Sequence, residues 1–183
     1  LTVSIVSQTY STPLGGSGGL LGVERVIGTS FLDSLIGSGA NDTLEGADGA
    51  DTLYGLAGND VLSGGGGDDH IHLEGGNDRI VAGTGADTIE LIVSGASRHV
   101  LTDFSATDRD RLNLSGEPIT SVGPVADLDG DGLVDDSQIV VGGDTIVFLN
   151  MAFDGFQNGS GFVGETLTGG TGRDYIHGSA GDD

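Results

Sequence analysis

Seven aspartates stand in a pattern that could do chemistry: Asp33, Asp42, Asp51, Asp60, Asp69, Asp78 and Asp87 recur every nine residues without a slip. A carboxylate can serve as acid, base, nucleophile or hard metal ligand. A catalytic site needs one pair of them, so a regular series points to repeated cation binding. Two residues after each Asp comes an aliphatic side chain, Leu35, Leu44, Leu53, Leu62, Ile71, Ile80 or Ile89. Small residues precede it. With Asp as position six, position one is Gly at 28, 37, 46, 55 and 64, and position four is Gly at 49, 58, 67, 76 and 85. The cleanest units read GADGADTLY (46–54), GLAGNDVLS (55–63) and GGGGDDHIH (64–72).

The elements that must position these carboxylates follow from the same unit. Positions seven to nine predict a short strand whose central residue points inward, while its neighbours point out. The six residues before it must turn sharply, and glycine permits the positive φ this requires. Two nonapeptides then make one flattened coil with a strand on each side. Successive coils stack their strands in parallel and their Leu/Ile side chains in facing rows, so that stacking supplies the core no single unit can build. Stacking places Asp33, Asp51, Asp69 and Asp87 on one edge and Asp42, Asp60 and Asp78 on the other. Carboxylates on adjacent coils would lie about 5 Å apart. Like charges at that distance repel, so a positive charge must sit between them. Oxygen ligands without His or Cys in the turns point to Ca²⁺ over a transition metal, and Mg²⁺ holds its waters too tightly to fit as well.

The units resemble the calcium-binding nonapeptide G-G-x-G-x-D-x-U-x of RTX (repeats-in-toxin, hemolysin-type) proteins. The resemblance implies an all-β chain, a right-handed parallel β-roll with Ca²⁺ in its turns. It pairs Asp33 with Asp51, Asp42 with Asp60, Asp51 with Asp69, Asp60 with Asp78 and Asp69 with Asp87, or about five ions in residues 28–90. It assigns carbonyl ligands to turn residues such as Gly46, Asp48, Gly55, Ala57, Gly64, Gly66 and Gly75. The first unit, GTSFLDSLI (28–36), departs from the pattern with Phe31 at position four, and units 73–81 and 82–90 begin with Leu73 and Ala82.

The resemblance continues on both sides of the block. LLGVERVIGTSFLDSLI (20–36) is similar to an entry sequence of such repeats, and VLTDFSATDRDRLNLS (100–115) to the strand-rich segment that follows them. Near the end, Glu165, Asp174 and Asp183 again step by nine, with Leu167 and Ile176 at the inward place, so Asp174 and Asp183 are further metal candidates. The chain thus reads as N-terminal flanking strands (1–27), a seven-repeat roll (28–90), a β-rich cap or spacer (91–159) and the start of a second repeat block (160–183). Within the spacer, IVVGGDTIVFL (139–149) predicts a hairpin on a Gly142-Gly143 turn. DLDGDGLVDD (127–136) opens like an EF-hand loop, but Gln138 stands where the bidentate Glu belongs and no helical period flanks it. Asp127, Asp129 and Asp131 remain candidates for a calcium loop of another kind, or for a solvated acidic turn.

Composition narrows the function. The 183 residues carry 28 acidic and six basic side chains, a net charge of −22, and no cysteine. That balance excludes a phosphate-binding face for nucleic acid and an anionic membrane surface. Without cysteine there is no disulfide frame and no thiolate metal site. No apolar run approaches the length of a membrane span. The start at Leu1 and the stop inside a repeat read as a piece of something larger. Gly15-Gly16-Ser17-Gly18-Gly19 spells G-x-S-x-G but lies in a glycine run without a helix to follow, and the G-x-G-x-x-G at 159–164 lacks a βαβ unit. His70 and His72 share one strand face, but no third ligand is evident beside them in the sequence, which leaves an exposed face as the reading. Tyr54 and Tyr175 read as surface residues, and Arg98, Arg109 and Arg111 form at most a small basic patch. The expectation is therefore a non-catalytic calcium-binding module, exported by the type I machinery that the resemblance implies, and secreted or held at the cell surface. The alternatives are an accessory segment of a secreted protease, lipase or polysaccharide epimerase, or a structural segment of an adhesin or surface layer.

Overall fold

The computed structural model describes residues 2–4, 9–11, 17–19, 23–105, 108–114, 119–124, 128–129, 136–149 and 175–177. Among these there are seventeen strands and no helix, so no helix is long and apolar enough to cross a membrane. Three short strands come first, β1 (Thr2–Ser4), β2 (Thr9–Ser11) and β3 (Ser17–Gly19). The repeats then give β4 (Arg25–Ile27), β5 (Ser34–Ser38), β6 (Thr43–Asp48), β7 (Thr52–Leu56), β8 (Val61–Gly66), β9 (His70–Leu73), β10 (Arg79–Thr84) and β11 (Thr88–Leu91). Beyond them lie β12 (Arg98–Leu101), β13 (Arg111–Asn113), β14 (Ile119–Pro124), β15 (Ser137–Val141), β16 (Asp144–Phe148) and β17 (Tyr175–His177).

Successive strands alternate between two sheets. One orders β5, β7, β9, β11 and β13 side by side, and the other β4, β6, β8, β10 and β12, all parallel. Leu35 pairs with Leu53 and Leu53 with Ile71, so one coil is eighteen residues, two nonapeptides, as the period requires. The seven aliphatic residues that follow the aspartates are all fully buried between the sheets. Strands β5 to β11 run longer than three residues because the chain stays extended through position one, which also faces inward. Where that position is Gly46, Gly55 or Gly64 the coil is thin. At Leu73, Ala82 and Leu91 a side chain fills the same row.

The coil lengthens where those larger residues appear. Parallel pairing continues past Leu91, but Arg79 pairs with Val100 and Thr88 with Arg111, steps of 21 and 23 residues that add loop to each turn. Phe104 and Phe148 fill the wider interior, meeting edge to face at 5.3 Å. The hairpin forms where its turn chemistry predicts it: β15 and β16 pair antiparallel about Gly142 and Gly143, both with positive φ. Asp144, at its start, accepts the backbone N–H groups of Ser94, Gly95 and Ser97 at 2.6–2.8 Å, which binds the hairpin to the preceding turn. Burial raises the pKa of this carboxyl, yet the donated N–H groups outweigh burial and hold it below the ordinary value.

Turn glycines differ in what they supply. Gly67 has φ +118°, and a Cβ there would collide with the backbone carbonyl of Gly49 one coil earlier. Its neighbour Gly66 sits in ordinary strand backbone, where a Cβ would meet nothing closer than 3.3 Å. Gly67→Ala is therefore expected to destabilise the fold by about 3 kcal/mol or more, and Gly66→Ala by less than about 1 kcal/mol. Denaturant unfolding of the two variants at saturating Ca²⁺ checks the contrast.

Candidate metal centre

Each aspartate of the period closes one turn. Its carboxylate is buried because positions one to five wrap over it, and every one of the seven is at most 3% exposed. One oxygen is used by the fold itself. Oδ1 of Asp51 accepts the N–H of Asp33 at 2.7 Å, and the same bond recurs one coil on: Asp42 donates to Asp60, Asp51 to Asp69, Asp60 to Asp78 and Asp69 to Asp87, at 2.8–2.9 Å. The two edges expected from the period are thus two hydrogen-bonded ladders, each carboxylate from Asp51 to Asp87 hung on the coil before it.

The second oxygen separates the first two turns from later ones. In the first two units Thr29 and Ser38 occupy position two, and each gives both its N–H and its hydroxyl to Oδ2 of Asp33 or Asp42. In the units of Asp51, Asp60, Asp69 and Asp87 position two is Ala47, Leu56, Gly65 and Gly83, all at positive φ, so these residues turn away from the carboxylate. Oδ2 of Asp51, Asp60, Asp69 and Asp87 consequently lies buried without any hydrogen-bond donor. A buried ionised carboxylate left in this state costs several kcal/mol.

Glycine at position one leaves a hollow beside that oxygen. A Cβ on Gly46 would fall onto Oδ2 of Asp51 and the carbonyl oxygen of Gly64, and one on Gly64 onto Oδ2 of Asp69 and the carbonyl of Ala82. One on Gly55 would lie 2.7 Å from Oδ2 of Asp60. Carboxylate and carbonyl oxygens converging on a space that a methyl group would fill suit a hard cation that takes oxygen ligands, and suit Ca²⁺ in particular. Of the other expected carbonyl ligands, Gly66 and Gly75 already accept N–H groups from Gly49 and Gly58, at 2.7 and 3.2 Å, with a second lone pair left on each. Ala57 lies against Gly75 in a single bridge, and Asp48 is exposed at the end of β6 with its side chain near Gly66.

Electrostatics point the same way. Burial pushes the Asp60 carboxyl up to about 7, with repulsion from Asp78 and Asp42 adding to it, and the N–H of Asp42 offsets only part of this. Burial likewise raises Asp69 to about 6 and Asp87 to about 7, with neighbouring carboxylates adding in each case. A cation beside such groups would favour their charged form and bring these values back down.

Two ladder positions escape a strict period of nine, and a further ladder keeps to it. Asp110 continues the first edge, accepting the N–H of Asp87 at 3.0 Å, but the longer coil moves it 23 residues on, and Ser105 caps its other oxygen. The D-R-L run at 110–112 was its only signal. On the second edge the place after Asp78 is taken by His99, fully buried, with Nδ1 3.0 Å from Oδ2 of Asp78. That ladder ends on an imidazole, beside Leu73 in place of a position-one glycine. Position five carries a third ladder: Oδ1 of Asn41 accepts the N–H of Asn59, Asn59 that of Asn77, and Asn77 that of Arg98, at 2.8–2.9 Å. The spacing of 18 between these asparagines was legible in the sequence. It serves backbone satisfaction rather than ion binding.

In the acidic loop, Asp129 is exposed and Asp136 is buried, accepting the N–H of Leu128 at 2.6 Å. Asp127, Asp131, Asp174 and Asp183 lie outside the described residues.

Comparison with known proteins agrees with this reading of the turns. The model of the RTX calcium-binding nonapeptide repeat matches in four copies, at residues 19–53, 27–62, 54–89 and 162–183. No curated protein matches the chain. Among solved structures, the chain is similar to the solution structure of the AlgE6R3 subunit from the Azotobacter vinelandii mannuronan C5-epimerase. The identity is 24% over 89% of this chain and 97% of that one, with a TM-score of 0.28, too loose a superposition to carry a residue or a role across. The repeat matches span just over half of the residues and include all seven turns of the nine-residue period from Asp33 to Asp87. The chain belongs to the family of RTX calcium-binding nonapeptide repeat proteins.

Proposed function

We propose that this chain is a calcium-dependent folding module of a secreted protein, which stays unfolded where Ca²⁺ is scarce and closes into the roll where Ca²⁺ is plentiful. The observation that carries this is the run of buried Oδ2 atoms on Asp51, Asp60, Asp69 and Asp87 that have no donor. Without a cation, stacking these coils buries negative charge against negative charge, and about one residue in five is a glycine whose freedom is lost on folding. With one, Ca²⁺ binding and folding become a single equilibrium. The best-formed sites are those of Asp51, Asp60 and Asp69, where glycine at position one leaves the hollow open. Oδ2 of Asp33 and of Asp42 is already capped from within its own turn, and Nδ1 of His99 lies 3.0 Å from Oδ2 of Asp78. Ca²⁺, when bound, supplies positive charge and structure here, and no reaction is assigned to it.

An unfolded form in low calcium and a folded form in millimolar calcium suit export of an extended chain, with the module helping a larger parent to fold and persist outside the cell. The type I route remains part of this proposal. Its test is a count of bound Ca²⁺ by equilibrium dialysis. The expected result is at least three ions per chain, with a midpoint of about 0.1–1 mM, the range of extracellular calcium modules. A chain that binds no Ca²⁺ at several millimolar overturns the proposal.

A further inference from the structure

The outer face of the first sheet carries a second, chemically different cluster. His70 and His72 alternate with the buried Ile71 on β9, so both rings point outward, and they stack at 4.3 Å. The ladder register sets Glu90 of β11 beside His72 on one side and Tyr54 of β7 on the other. Tyr54 stacks on His72 at 4.1 Å with the rings 12° from parallel. Glu90 supplies the third group that the spacing of the two histidines alone does not.

Both imidazoles address the same oxygen. Nε2 of His70 is 3.4 Å and Nδ1 of His72 is 3.3 Å from Oε2 of Glu90. Charge-assisted N–H···O bonds are shorter, about 2.7–2.9 Å. Ligands held about 2.0–2.1 Å from a tetrahedral metal are themselves about 3.3–3.4 Å apart. The two separations match two edges of that tetrahedron, and all three ligand atoms lie within 4.8 Å of one another. His70 Nε2 is shielded from solvent and makes no hydrogen bond. Oε1 of Glu90 accepts from the Asn113 amide at 3.3 Å on β13, and stacking on Tyr54 sets the plane of His72, so two of the three ligands are held by neighbours.

We propose that His70, His72 and Glu90 bind one divalent cation of the zinc class on the outer face of the roll, apart from the calcium turns. Two imidazoles and one carboxylate are a borderline ligand set that selects such an ion over Ca²⁺, which takes oxygen ligands only. Three protein ligands leave the fourth position to solvent. The ion joins β9 to β11, so it staples neighbouring coils from outside as calcium does from within.

The test is a Zn²⁺ titration by calorimetry of the chain kept in saturating Ca²⁺, with Co²⁺ as a spectroscopic probe. One Zn²⁺ per chain and a tetrahedral cobalt spectrum with nitrogen ligands are expected. His70→Gln and Glu90→Gln should each weaken Zn²⁺ binding by at least about tenfold, with the circular dichroism in Ca²⁺ unchanged. Absence of binding at about 100 µM Zn²⁺, or unchanged affinity in both variants, overturns the site. An octahedral, oxygen-only cobalt spectrum overturns it too, whatever the variants do. The calcium turns can fail their own test without touching this one, because it reads a separate metal on the folded chain.

Discussion

In a chelator, the chain is expected to hold more β structure at about pH 5 than at about pH 8. The folded form raises the Asp60 and Asp87 carboxyls to about 7 and Asp69 to about 6, mainly through burial, against an ordinary value of 3.8. The folded state therefore binds more protons than the unfolded one between these limits. Its stability is fully present below 3.8 and is lost as pH rises through about 6–7. A proton on a buried carboxyl removes the charge that calcium would otherwise neutralise. With Ca²⁺ present the slope reverses, because protons and Ca²⁺ compete for the same oxygens and acid raises the calcium needed for folding. Far-UV circular dichroism across pH, with chelator and with calcium, checks both arms. Parallel slopes in the two conditions would contradict the assignment of these carboxylates to ion binding.

A comparable reversal is expected for Asp69→Asn. The amide oxygen keeps the acceptor that takes the Asp51 N–H at 2.8 Å, and the amide nitrogen replaces Oδ2 with a donor facing the Ala82 carbonyl. Without calcium the variant sheds an uncompensated buried charge and gains about 1–3 kcal/mol of stability. In millimolar calcium it binds at least one ion fewer and falls below the wild type, since Asp69 belongs to both the Asp51/Asp69 and Asp69/Asp87 pairs. Thermal unfolding in the two conditions measures the crossing. Loss of stability in both would make Asp69 a hydrogen-bond acceptor only.

Much of this architecture was legible because a solenoid writes its geometry as a period. Asp51, Asp69 and Asp87 fall on one edge and Leu35, Leu53 and Ile71 in one row for the same reason, a coil of eighteen residues. The hairpin at Gly142-Gly143 was legible because its turn demands two residues at positive φ. What the period hid lies where it breaks. Asp110 and His99 take ladder positions on coils lengthened by loops, so counting by nine misses them. The distinction between open and capped carboxylates rests on Thr29 and Ser38 at position two, where the repeat formula has Gly and this chain varies. The third partner of His70 and His72 is 18 residues further on, visible only once the register between β9 and β11 is fixed.

The most direct test of the central claim is a Ca²⁺ titration of the metal-stripped chain at about pH 8, followed by far-UV circular dichroism, with Mg²⁺ as the control. A cooperative gain of β signal with Ca²⁺ and none with Mg²⁺ is the predicted result. A chain already folded in chelator at that pH, and unchanged by Ca²⁺, would contradict the account, because the buried carboxylates of Asp51, Asp60, Asp69 and Asp87 would then be tolerated without an ion.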